Sequence, residues 1–153
     1  IMSANTCLDY KENGNGPTKI HFYNGGGCSS YLGAPTPGFD SPLSMRTGCE
    51  ENPVTVLHEM THNLGLTHTQ NRFDRDLYIT MNLNAIKKGS EHNYEKLTVK
   101  ENDNFGLPYE YGSAMHYGPY YWHDNKGPIM ISKDPAYEYT MGQSRYMTFN
   151  DYK

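Results

Sequence analysis

The chain has 153 residues and a formal net charge of −4. That length suits one domain with a real core and hardly two, and the mild acidity gives no basic footprint for nucleic acid or an anionic membrane. No stretch approaches the roughly 20 apolar residues of a membrane span, and no signal peptide is visible, although a chain that opens on Ile1 reads as a processed or truncated piece.

Residues 6–11 are predicted as a short strand and residues 13–17 as a turn by composition. Residues 19–23 alternate enough for a further strand, in which His21 is an ordinary member. The glycines at 25–27 end it. They lack the Lys-Ser/Thr or G-x-G-x-x-G frame of a phosphate loop, so a plain turn is expected. From 29 to 46, Pro35, Pro37 and Pro42 with Gly33 and Gly38 predict loop and sheet edge. Residues 43–46 are a candidate edge strand, which an extended peptide can join by main-chain hydrogen bonds. The other reading is a surface loop without substrate contact.

Asn52 and Pro53 open the main helix, one as N-cap and the other at the first helical position. Val54, Leu57 and Leu64 are expected on its buried side. Residues 54–56 are all β-branched, so packing rather than propensity must hold it. On this helix the sequence reads H-E-x-x-H-x-x-G-x-x-H, from His58 to His68. His58 and His62 stand four apart and share one helix face, so they can grip a single ion. Gly65 can end the helix and turn the chain, bringing His68 back as a third ligand. Three neutral imidazoles leave a fourth position open for water, the mark of a catalytic zinc rather than a structural one. Glu59 is adjacent in sequence and long enough to reach that water as general base.

Residues 69–76 form a charged run. It is a solvated loop on general grounds, or its two Arg–Asp opportunities pin the segment that carries His68. Residues 77–82 suggest a strand or extended segment, and 84–104 offer short helical turns at most. Residues 111–117 read Y-G-S-A-M-H-Y. A methionine in a tight turn, here Met115, can form an apolar floor beneath a three-histidine site. Residues 118–153 are turn-rich, and Trp122 and its neighbouring tyrosines are assigned to packing. His92, His116 and His123 are assigned to surface or supporting positions. The three cysteines are Cys7, Cys28 and Cys49. No C-x-x-C occurs, so disulfides are expected rather than a second metal site. Cys28 and Cys49 can close a loop of about 20 residues, leaving Cys7 as the orphan.

With both anchors in view, the chain resembles the astacin family of metzincin metalloendopeptidases. The resemblance rests on HEMTHNLGLTHTQNRFDRD and SAMHY, with Arg72-Phe73-Asp74-Arg75-Asp76 matching the family's R-x-D-R-D run. Residues 27–33 match its G-C-x-S-Y-x-G segment, and Tyr117 matches the tyrosine two residues after the turn methionine. The resemblance implies an α+β, two-lobed domain. Its upper lobe holds a twisted mixed sheet and the zinc helix, and its irregular lower lobe holds the methionine turn around Met115. Residues 1–153 are then a catalytic domain truncated at both ends, with the partner of Cys7 beyond Lys153. One departure stands out. Thr69 occupies the position where the family usually has glutamate, which helps anchor the mature N-terminus.

The implied activity is hydrolysis of internal peptide bonds by a zinc-activated water. One catalytic Zn²⁺ is held by His58, His62 and His68, with Glu59 as general base and then acid. Tyr117 binds the ion at rest and swings to the tetrahedral oxyanion. The expected partner is a protein or peptide substrate in extended conformation, and the expected location is secreted. The alternative is a catalytically silent, zinc-bound binding module, whose usual mark is loss of the glutamate or of a ligand.

Overall fold

A computed structural model describes residues 1–33, 38–143 and 145–153. The chain divides into two compact units, residues 1–67 with 152–153, and residues 68–151. The dividing line falls between Thr67 and His68, within the histidine motif.

The first unit holds a short helix α1 (Met2–Asn5), three strands, β1 (Ile20–Tyr23), β2 (Cys28–Ser30) and β3 (Ser41–Met45), and the main helix α2 (Pro53–Asn63). Sheet order is β1-β3-β2, with β1 parallel and β2 antiparallel to β3. The mixed sheet is therefore present, but the strand expected at its edge is central. Pro42 does not prevent this. β2 stops at Ser30, opposite Leu43, so no β2 residue pairs with Pro42 and its missing N–H leaves no ladder bond unmade. The Pro35 and Pro37 positions lie outside the described residues. No strand forms over residues 6–11. The chain instead leaves α1 through Thr6, whose N–H and hydroxyl both donate to the Met2 carbonyl. Leu8 is only half-buried there and Tyr10 is exposed.

Helix α2 lies against β2 and β3. It starts as expected, with the Asn52 side chain accepting from the Val54 N–H and Pro53 in the first turn. Val54 and Leu57 are buried, and Leu43 beside them is fully so. Leu64 is not: it caps the helix in an exposed position. Gly65 follows at φ 95°, a left-handed conformation that costs glycine nothing. Cys28 and Cys49 form a disulfide across 21 positions, while Cys7 is free and exposed. Because the bridge ties β2 to the turn before α2, breaking it by Cys28→Ser with Cys49→Ser is expected to cost about 3 kcal/mol. Urea unfolding of the two forms checks this through the midpoint shift at constant m-value.

The second unit is mostly irregular. It holds a two-stranded antiparallel pair, β4 (Ile79–Met81) with β5 (Met130–Ser132), and ends in α3 (Phe149–Tyr152). Its core is Ile79, Ala85, Ile86, Tyr94, Tyr109, Tyr111, Ile129, Met130 and Met141. Several tyrosines thus do pack. Tyr120, Tyr121 and Trp122 lie outside this core and are exposed, although Tyr121 still meets the rings of Tyr117 and Trp122. Trp122 sits at φ 61° with its carbonyl accepting from Lys87 N–H at 2.8 Å. That turn presents the rings outward. No helix among the described residues is long and apolar enough to cross a membrane.

Candidate metal centre

Helix α2 supplies the first two histidines. The four-residue spacing brings the Nε2 atoms of His58 and His62 to 3.1 Å, with the rings edge to face at 89°. His62 Nδ1 lies 2.8 Å from the Leu66 carbonyl. A carbonyl can only accept, so Nδ1 carries the proton and Nε2 the lone pair. The Gly65 turn makes this possible, because it folds Leu66 back over the last helical turn. Burial and the charge of a protonated His58 push the His62 pKa down to about 4, against a smaller opposing pull from the Leu66 carbonyl. His62 is thus neutral near pH 7, the form that ligates a metal. One nitrogen each from His58, His62 and His68 lie within 4.8 Å of one another.

This donor set fits zinc. Two nitrogens each 2.0–2.1 Å from a tetrahedral ion stand roughly 3.3 Å apart, close to the His58–His62 separation. Borderline-soft imidazoles on three positions leave one open.

Glu59 is buried between these ligands along the helix. Desolvation pushes its carboxyl up to about 7, partly offset by a hydrogen bond from the Ser30 backbone. The helix is tied to the sheet at the same place, where the Asn63 amide donates to the Ser30 hydroxyl and to the Glu59 carbonyl.

His68 opens the second unit, and residues 69–76 beside it are tightly held. The Thr69 N–H donates to the Met115 carbonyl at 3.0 Å. Gln70 Oε1 accepts from the Tyr117 N–H at 3.1 Å. The tyrosine ring packs on His68 at 4.3 Å between centroids. The charged run does pin this segment, as one of its two readings expected. Arg72 forks onto Asp74 at 3.0 and 2.8 Å and reaches the carbonyls of Leu107 and Pro108. Arg75 is buried and donates to the carbonyls of Gln70 and Tyr94 at 2.8 and 2.5 Å. At Thr69, where a charged residue was the family expectation, the neutral side chain is buried and the backbone makes the bond to the turn.

One support of the methionine turn, Asp151, escapes the sequence, and another, His116, takes the supporting one of the two positions assigned to it. Asp151 accepts from Ser113 Oγ at 2.5 Å, from Ala114 N–H at 2.9 Å and from Thr148 N–H at 2.8 Å. Ser113 Oγ in turn accepts from Met115 N–H. His116 is buried, accepting from the Tyr109 hydroxyl on Nε2 and donating from Nδ1 to the Tyr117 carbonyl, both at 2.8 Å. A seryl and an aspartyl 38 positions apart carry no local signal, and a lone histidine beside a turn gives no clue to its burial.

Burial lowers the His116 pKa from 6.5 to about 4. The unfolded chain therefore binds a proton the folded chain refuses between those values. Stability from this residue is complete above about pH 6.5 and is lost as pH falls toward 4, at about 1.4 kcal/mol per unit. Denaturation midpoints at pH 7 and pH 5 should diverge less in His116→Gln than in the parent.

The chain is similar to known proteins. The family model described as Astacin, a peptidase family, matches residues 1–153. Zinc metalloproteinase nas-30 of Caenorhabditis elegans is 39% identical over 154 residues, covering 100% of this chain and 20% of that protein. Meprin A subunit beta of Rattus norvegicus is 36% identical over 147 residues, covering 96% of this chain and 20% of that one. The chain thus spans about a fifth of the length of these relatives. High choriolytic enzyme 1, a hatching enzyme zinc-protease of the medaka Oryzias latipes, superimposes with a TM-score of 0.88 at 28% identity, over 99% of this chain and 73% of its own. On the family match over its full length, the chain belongs to the astacin family.

Proposed function

We propose that this chain carries the catalytic apparatus of a zinc-dependent endopeptidase that cuts internal peptide bonds of proteins. One observation carries the reading: three imidazole nitrogens within 4.8 Å, beside a buried carboxyl whose pKa is pushed to about 7. His58, His62 and His68 would hold one Zn²⁺. When bound, the ion supplies a Lewis acid that polarises the scissile carbonyl and lowers the pKa of water. Glu59 takes the proton from the attacking water and delivers it to the leaving amine; a carboxyl near neutrality suits both transfers. The Tyr117 phenol donates to the oxyanion of the tetrahedral intermediate. Met115 is buried in its turn, which supports reading it as the apolar floor.

The substrate is bound in extended form. Support comes from β2, which among the described residues pairs with β3 alone and lies at the end of the sheet. Secretion is the proposed setting, because a disulfide such as Cys28–Cys49 persists in oxidising compartments.

Incubation with an unstructured protein, followed by mass analysis of the fragments, tests the reading. Internal cuts that stop with a chelator and resume with zinc are expected. Zinc binding without any cleavage would instead make the chain a silent binding module.

A further inference from the structure

Asn63 is the last residue of α2 and is only 4% exposed. An apolar side chain would fill that place without carrying polar atoms out of water. Its donors decide how the amide is turned. Nδ2 faces the Ser30 hydroxyl and the Glu59 carbonyl, the latter at 3.3 Å. A carbonyl can only accept, so the NH2 end lies on that side. Oδ1 is then left buried with no donor among the described residues. The side chain tolerates an unfavourable placement at one end to make its contacts at the other.

Those contacts lead to Glu59. Ser30 ends β2, opposite Leu43. Its hydroxyl accepts from Asn63 and donates to the Tyr31 carbonyl at 3.2 Å, so it is held from both sides. Its N–H donates to the Glu59 carboxyl. Just past the strand, the Gly33 N–H donates to the His62 carbonyl at 2.7 Å, a second tie between this segment and the helix end. A glutamate side chain has three torsions, and burial alone gives its carboxyl no direction. The Ser30 N–H gives it one, and Asn63 fixes Ser30. All three residues lie in the first unit.

We infer that Asn63 is a positioning residue that grips Ser30 and thereby holds the Glu59 carboxyl in the direction its proton transfers need. The inference rests on the general-base role proposed for Glu59. A purely structural tie would join helix to sheet and leave the carboxyl as it is.

The test uses the zinc-loaded chain in five forms: parent, Asn63→Ala, Ser30→Ala, Ser30→Thr and the Asn63→Ala/Ser30→Ala double variant. Alanine is the best helix former, so α2 survives the change at 63. Asn63→Ala and Ser30→Ala should each lower kcat about 10- to 100-fold and move KM by less than about twofold, because a misdirected base costs rate and not binding. The double variant should be no slower than the slower single one. Ser30→Thr keeps the hydroxyl and should hold kcat within about twofold of the parent. Amide hydrogen exchange adds a readout without turnover. Protection of the residue-30 amide should fall at least about threefold in Asn63→Ala and in Glu59→Ala, and persist in Ser30→Thr. A chain that cleaves nothing would thus remove the proposed function, while exchange still decides whether Asn63 holds Ser30 on Glu59. Parent kcat in Asn63→Ala, with only a lower unfolding midpoint, would make the residue a structural tie and overturn the inference. So would additive losses in the double variant, or residue-30 protection that Asn63→Ala leaves unchanged.

Discussion

Glu59→Ala is expected to keep zinc and to lose nearly all peptidase activity. Position 59 lies in the interior of α2, where alanine is the best helix former, so the replacement leaves His58 and His62 on their shared face. The proposed metal ligands are untouched. What disappears is a buried carboxyl that burial has raised to about 7. A base of that strength accepts a proton from water and yields it again at neutral pH, and no nearby group on α2 can replace it: the flanking His58 is proposed to hold the ion, and Met60 cannot take a proton. General acid–base assistance contributes typically about 10²–10⁴-fold, and this residue serves two transfers, so a fall in kcat at or beyond the upper end is expected. The variant should be no less stable than the parent, because it deletes a desolvated charge site. Zinc content by atomic absorption and kcat on a quenched peptide decide the matter. Full zinc with retained turnover would sink the general-base role.

Tyr117→Phe is expected to give the second large effect. The ring keeps its packing on His68 and Tyr121, and the backbone keeps its bonds to Gln70 and His116, so only a hydroxyl is lost. A hydroxyl that donates mainly to the oxyanion acts in the transition state and not on the bound substrate. Its loss should therefore lower kcat by about 10²–10³-fold and leave KM nearly unchanged. The reverse pattern, a raised KM at constant kcat, would assign Tyr117 to substrate binding.

The roles proposed for these residues are read before any fold is drawn, because they rest on local relations. Spacing of four on a helix, a glycine able to turn, and a tyrosine two residues after a methionine are all written within short stretches. The parts that are not legible depend on distant partners. β2 is three residues long with no alternation, and its identity as a strand exists only through its pairing with Leu43, Ser44 and Met45. Pro42 argues for an edge position of β3 because it forbids a ladder bond, yet that bond falls beyond the end of β2. Residues 6–11 have strand-like composition but no neighbour to pair with. Asp151 carries the methionine turn from 38 positions away. Tyr121 passes for packing in the sequence, because a tyrosine in a turn reads the same whether its ring is covered or exposed.

The proposed peptidase activity stands on one zinc ion held by three histidines. Stoichiometric titration of zinc into the metal-free protein, with peptide cleavage recorded at each addition, tests it most directly. Activity should rise in proportion to zinc and level off at one ion per chain, and His62→Ala should abolish both the binding and the rise. Cleavage by the metal-free chain, or full activity in His62→Ala, would contradict it.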